Sequence, residues 1–177
     1  MGRDKARLLI GGEPLWRRQL AVLQGAGADP VFLVQARGQR ALTRGVVRDT
    51  RREAGPLAGI HAALARCPDG HLAVLAVDLP YIEPGWFSRL AGLCAPGIGA
   101  VARTRHGYEP LAAIYPRTAL AEAESRLARG AHTLQEFVTA LVRSRRMRVL
   151  RLKAAEQWPL QNWNTPADLA VGAPVRN

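Results

Sequence analysis

The sequence predicts an α/β fold, a mainly parallel sheet covered by helices on both faces, in a single domain spanning residues 1–177. Short apolar runs alternate along the chain with stripes of apolar residues at helical spacing, the signature of strands joined through helices. The run Leu72-Ala73-Val74-Leu75-Ala76-Val77 is apolar at every position, as suits a central strand with both faces covered. A length of 177 residues, 48% apolar and 22% charged, is enough for one core and too little for two.

Each element follows from local signals. Pro14 is a good first-turn residue ahead of a stripe at Trp16, Leu20 and Leu23, with stop signals at Gly25 and Gly27. Residues 31–34 read as a buried strand and Val46-Val47 as a second, ending at Asp49. Pro56 opens a helix with Leu57, Ile60 and Leu64 on one face. After the run at 72–77, Pro84 opens another with Trp86, Leu90 and Leu93 on one side. Residues 98–102 and 111–115 read as strands and 120–127 as a helix. Thr133 caps a further helix whose Leu134, Phe137, Val138 and Leu141 form an i, i+3, i+4, i+7 stripe. Residues 149–152 make a short basic strand, and Pro166 begins a terminal helix through Leu169.

Composition excludes several functions. No apolar run approaches the ~18 residues that span a bilayer, and Met1-Gly2-Arg3-Asp4-Lys5 lacks the apolar stretch of a secretory signal, so a soluble cytoplasmic protein is expected, with no membrane partner. Cys67 and Cys94 have neither disulfide nor zinc-ligand spacing and are expected to be small buried thiols. The net charge of +11 invites a polyanionic partner. Yet Lys5 and Lys153 are the only lysines, the arginines are spread along the chain, and aromatics at 6% leave few stacking platforms for nucleic acid. The basic run from Arg143 to Lys153 is expected on a solvated edge strand, where charge deters pairing with another sheet.

In such folds ligands gather beyond the carboxyl ends of strands, which points to Asp49, Asp78 and the segment around Glu109. A carboxylate at Asp78, anchored by the central strand, is placed to hold Mg²⁺ beside phosphates; the plainer reading is a turn aspartate. Lys5 offers an ammonium to a transferring phosphoryl group. Gly55-Pro56-Leu57-Ala58-Gly59 starts a helix, so its free N–H groups can face an anion, although glycine and proline here are also ordinary helix-start chemistry. Asn162 and Asn164, one residue apart, present two amides on one side of an extended segment. There is no GxSxG elbow and no P-loop.

Taken in order, Met1-Gly2-x-Asp4-Lys5-Ala6, the glycine turn into Pro14-Leu15, Asp49, Gly55-Pro56-Leu57-Ala58-Gly59, Asp78-x-Pro80, Glu109-Pro110-Leu111-x-Ala113-x-Tyr115 and Asn162-x-Asn164-Thr165-Pro166 resemble the molybdenum cofactor guanylyltransferase family over nearly the whole chain. Each motif alone is common; their joint order and spacing are specific. The resemblance implies a Rossmann-like, nucleotide-diphospho-sugar-transferase-like sandwich. It implies an enzyme that moves GMP from GTP to the terminal phosphate of molybdenum-bearing molybdopterin, with Mg²⁺ and release of pyrophosphate. Lys5 matches a lysine on the GTP phosphates, Asp49 an aspartate of the guanine pocket, and Asp78 the ligand of Mg²⁺ and nucleotide. Gly55 falls in the nucleotide-binding stretch, Asn162 and Asn164 look like residues near the pterin side, and Glu109 is a substrate-binding candidate whose plainer reading is a strand cap. Other cofactor-biosynthesis proteins or a recipient molybdoenzyme are the implied protein partners. A substrate phosphate is already anionic, which fits the absence of a histidine-carboxylate base.

The resemblance departs in two places. The family pattern has an apolar strand and a Leu-Ala-Gly-Gly loop directly ahead of the Met-Gly-x-Asp-Lys stretch, so the expectation is a polypeptide that starts upstream of Met1, the 177-residue form alone giving little transfer. An asparagine is also expected where Val34 or Gln35 stands. The rival readings are a cytidylyltransferase or sugar-phosphate nucleotidyltransferase of the same fold, and an inactive member that binds cofactor or partner.

Overall fold

The computed structural model describes residues 5–36, 38–43, 46–49, 55–68 and 70–161. A 3-10 turn, Lys5–Arg7, leads into a two-stranded antiparallel hairpin, β1 (Leu9–Ile10) and β2 (Glu13–Pro14), and then helix α1 (Leu15–Gly25). Strands β3 (Val34–Gln35) and β4 (Val47–Arg48) pair in parallel as a small separate sheet, followed by α2 (Gly55–Arg66) and β5 (His71–Leu75). Helix α3 (Pro84–Ala91) precedes β6 (Gly99–Thr104), β7 (Gly107–Tyr108) and β8 (Ala112–Pro116). Helices α4 (Leu120–Ala128) and α5 (Leu134–Arg143) and strand β9 (Met147–Arg151) complete the described body.

Two apolar cores lie on opposite sides of the large sheet, which makes the molecule a helix–sheet–helix sandwich. Alternation along the strands distributes the side chains. Val101, Ala113 and Tyr115 point to the core shared with α2, α4 and α5, whereas Ala100, Ala102, Ala112 and Ile114 point to the core shared with α1 and α3. The stripe predicted for α5 is the observed one, with Phe137, Val138 and Leu141 fully buried.

The sheet corrects the expectation of mainly parallel strands. Its order is β5-β8-β6-β7 with β9 against β6, and only the β6–β9 pair is parallel. The continuous apolar run at 72–77 is a sound sign of a strand covered on both faces, but burial on both faces does not require parallel neighbours. Antiparallel β8, buried at all five positions, meets the same condition.

Smaller corrections follow the same logic. Of residues 31–34 only Val34 enters a ladder. The N-cap of α5 is Thr133, as expected, without a capping bond from its side chain. Cys67 and Cys94 are not joined in a disulfide and are half-buried rather than buried; burial still raises the Cys94 pKa, with nearby Arg148 pulling the other way. Among the described residues strand β9 pairs only with β6, as expected of a basic edge strand. The terminal helix expected from Pro166 lies outside the described residues. No helix among the described residues is long and apolar enough to cross a membrane.

Candidate functional site

Asp78 stands in a turn just past β5, half-buried. The turn is held from α1. Gln19, 3% exposed, donates through Nε2 to the carbonyls of Ala76 (3.2 Å) and Leu79 (2.8 Å), and Arg18 Nε donates to the carbonyl of Pro80 at 3.1 Å. Leu79, Pro80 and Ile82 are buried beneath it. The backbone on either side of Asp78 is thus tied to α1 by three side-chain hydrogen bonds.

Glu109 belongs to the same end of the sheet. The N–H of Ala76 donates to the carbonyl of Leu111 at 2.8 Å, which ties the segment before β8 to the turn that carries Asp78. Tyr115 Oη donates to the carbonyl of Pro110 at 2.7 Å and fixes that segment from below. Glu109 accepts from Thr104 Oγ1 at 3.5 Å; burial raises its pKa above the usual carboxylate range, and the threonine bond opposes that rise.

A second group forms at the small sheet. Asp49 directly follows β4, its N–H donating to the carbonyl of Gln35 at 3.3 Å, and lines a largely apolar cleft of about 770 Å³ together with Gly55, Pro56 and Gly59 of α2. Gly55 has φ of +59°, a left-handed conformation in which a side chain would be strained, so glycine is required at this entry to α2. The first turn of α2 borders the same cleft as Asp49.

The structure thus brings Asp49 together with Gly55, and Asp78 together with the segment of Glu109. The backbone of Lys5 begins the 3-10 turn that packs on α1, while its side chain, like Asn162 and Asn164, lies outside the described residues. The roles of Arg18 and Gln19 escape sequence reasoning. A signal for Gln19 exists, because it interrupts the buried stripe Leu15, Val22, Leu23 of α1, where a polar residue must find buried partners.

Among the described residues, no three or more His, Cys, Asp or Glu side chains gather into a metal cage. A lone carboxylate such as that of Asp78 holds a divalent ion where substrate phosphates and water complete the coordination shell.

The sandwich, with Asp78 just past a strand of the large sheet, is an architecture of the nucleotidyltransferase class, and the family comparison gives that class to this chain. The chain belongs to the MobA-like NTP transferase family, whose model matches residues 1–151. It is 53% identical to a probable molybdenum cofactor guanylyltransferase of Opitutus terrae, over 95% of this chain and 86% of that protein. It is 33% identical to one of Deinococcus radiodurans, over 96% and 85%. The fold is that of molybdopterin-guanine dinucleotide biosynthesis protein A from Archaeoglobus fulgidus (TM-score 0.68, 21% identity, 96% of this chain and 88% of that one). It is shared by a 2-C-methyl-D-erythritol 4-phosphate cytidylyltransferase from Thermus thermophilus (TM-score 0.67, 17% identity, 94% and 91%).

Proposed function

We propose that this enzyme transfers GMP from GTP to molybdenum-bearing molybdopterin in the cytoplasm, forming the guanine dinucleotide of the cofactor. An oxygen of the pterin's terminal phosphate attacks the α-phosphorus of GTP, the bond from that phosphorus to the α,β-bridging oxygen breaks, and pyrophosphate leaves with the electron pair. The observation that carries the reading is Asp78, held half-buried at the tip of β5 by Gln19 and Arg18, in a chain that is 53% identical to a named guanylyltransferase.

In this reading Asp78 binds Mg²⁺, which when bound neutralises charge on the phosphates. Asp49 meets the guanine, the first turn of α2 from Gly55 offers N–H groups to the nucleotide, and Lys5 approaches the phosphates. Asn162 and Asn164 serve the pterin side, and Glu109 contacts substrate. Catalysis then rests on alignment and charge rather than on proton transfer.

The assay is pyrophosphate release from GTP with molybdopterin and Mg²⁺. Turnover is expected to fall about 10²-fold or more on Asp78→Asn, the scale of removing one pre-organised charged group, with little change in thermal midpoint. Unchanged turnover in Asp78→Asn would sink the reading. Competition between GTP and CTP tests the base: preference for CTP would move the assignment to a cytidylyltransferase.

A further inference from the structure

Strand β7 is two residues long, and among the described residues it has a ladder partner on one side only. The register shows which way its backbone groups point. Tyr108 lies opposite Arg103, and the N–H of the next residue, Glu109, donates across the pair to the carbonyl of Ala102 at 3.0 Å. Backbone groups alternate in direction along an antiparallel strand, so the N–H and C=O of Tyr108 point outward, away from β6. A short hairpin strand with a single neighbour is marginal by itself.

One side chain of α5 stands in for the second neighbour. Gln135 Oε1 accepts from the Tyr108 N–H at 3.0 Å, and Gln135 Nε2 donates to the Tyr108 carbonyl at 2.8 Å. The amide thereby makes the two bonds that a further strand would make at this position. The pairing also fixes the orientation of the amide, because the reverse would set oxygen against oxygen and donor against donor. Gly107 leaves room for it. A Cβ there would lie 2.9 Å from Gln135 Oε1, and the Gly107 φ of +134° is one that other residues rarely adopt. From β6 the Arg103 guanidinium sits 5.0 Å from the centre of the Tyr108 ring, so Tyr108 is held through its backbone by α5 and through its ring by β6.

The residue that follows is Glu109. Its carboxylate meets Thr104 Oγ1 only at 3.5 Å, a distance at which a hydrogen bond is weak. Its place at this end of the sheet is therefore set by the backbone on either side, Tyr108 before it and Pro110 after it, the latter held by Tyr115. We propose that Gln135 is a positioning residue, whose amide replaces a strand on the open edge of β7 and so sets Glu109 against the substrate. The inference rests on the reading of Glu109 as a substrate contact.

The test is Gln135→Met, which keeps the length of the side chain and the helix propensity of the position but makes neither bond. Gln135 is exposed, so the substitution leaves both cores intact. In the pyrophosphate-release assay the KM of one substrate is expected to rise about tenfold, the scale of a modest pair of hydrogen bonds, with kcat less affected. The same substrate's KM is expected to rise in Glu109→Ala. Adding Gln135→Met to Glu109→Ala is expected to raise it no further, because the amide then has no carboxylate to place. Parental kinetics in Gln135→Met, or increments that add in the double variant, would overturn the proposal. The titration of the Glu109 carboxyl, followed by NMR, reads the same arrangement without turnover. Burial holds that pKa up, so loosening the segment is expected to bring it down toward the ordinary carboxylate range in Gln135→Met. A titration unmoved by the substitution would also overturn the proposal. A parent chain that transfers no GMP would count against the guanylyl-transfer reading, and the titration would still decide whether Gln135 holds Glu109.

Discussion

At the scale of single residues, the environment of Glu109 sets a pH signature. Burial raises its carboxyl pKa against the opposing Thr104 bond, so the folded chain holds this proton more tightly than the unfolded chain. The contribution to stability is therefore complete below the ordinary carboxylate range and is lost as pH rises through the elevated folded value. Glu109→Gln removes the ionisation. Its thermal midpoint, taken relative to the parent, is expected to be flat in acid and to climb once pH passes the carboxylate range, as scanning calorimetry across pH would record. A variant-minus-parent difference that falls as pH rises would contradict the assigned cause. The same scale explains what local patterns conceal. Asp78 and Glu109 are legible because they border apolar runs, whereas Gln19 acts through carbonyls 57 and 60 positions away, contacts that no local pattern encodes.

At the scale of elements, β6 and β8 meet where Gly99 begins β6. A Cβ added there would collide with the carbonyl oxygen of Ile114 and lie 2.7 Å from Cδ of Pro116, both on β8, with backbone on one side and a ring on the other. Neither gives way easily. Gly99→Ala is expected to cost about 1–3 kcal/mol, as overpacking does. Gly85→Ala supplies the contrast, because Gly85 lies in α3 with nothing within 4 Å of the place a Cβ would take. That variant should gain about 0.4–1 kcal/mol through the unfolded state. Urea midpoints that moved in the same direction for both would refute the close approach of β6 to β8. Element positions are readable from apolar period and proline placement, as the match at α5 attests. Strand direction is not, because the residues of β5 record only that both its faces are covered, and its antiparallel partner β8 arrives only after α3, β6 and β7.

At the scale of the whole molecule, the two cores are bound together by strands that belong to both. Successive residues of β8 alternate between them, Ala113 and Tyr115 toward the α2, α4 and α5 side, Ala112 and Ile114 toward the α1 and α3 side. Neither core can open while the other keeps its strands in register, so a single cooperative transition is expected for this body, in keeping with one domain. Leu141, fully buried on one side of the sheet, and Trp86, whose indole donates to the carbonyl of Ala112 at 3.0 Å on the other, provide the measurement. Leu141→Ala should destabilise by about 2–5 kcal/mol through the lost transfer free energy and the cavity left behind. If the cores are coupled, Trp86 fluorescence, read in a background where Trp16, Trp158 and Trp163 are replaced by phenylalanine, and far-UV circular dichroism should shift to the same lower urea midpoint in that variant, although Leu141 and Trp86 belong to different cores. A tryptophan midpoint that stays at the parent value while the dichroism midpoint falls would mean that the sheet does not transmit the loss, and that the two cores unfold as separate units.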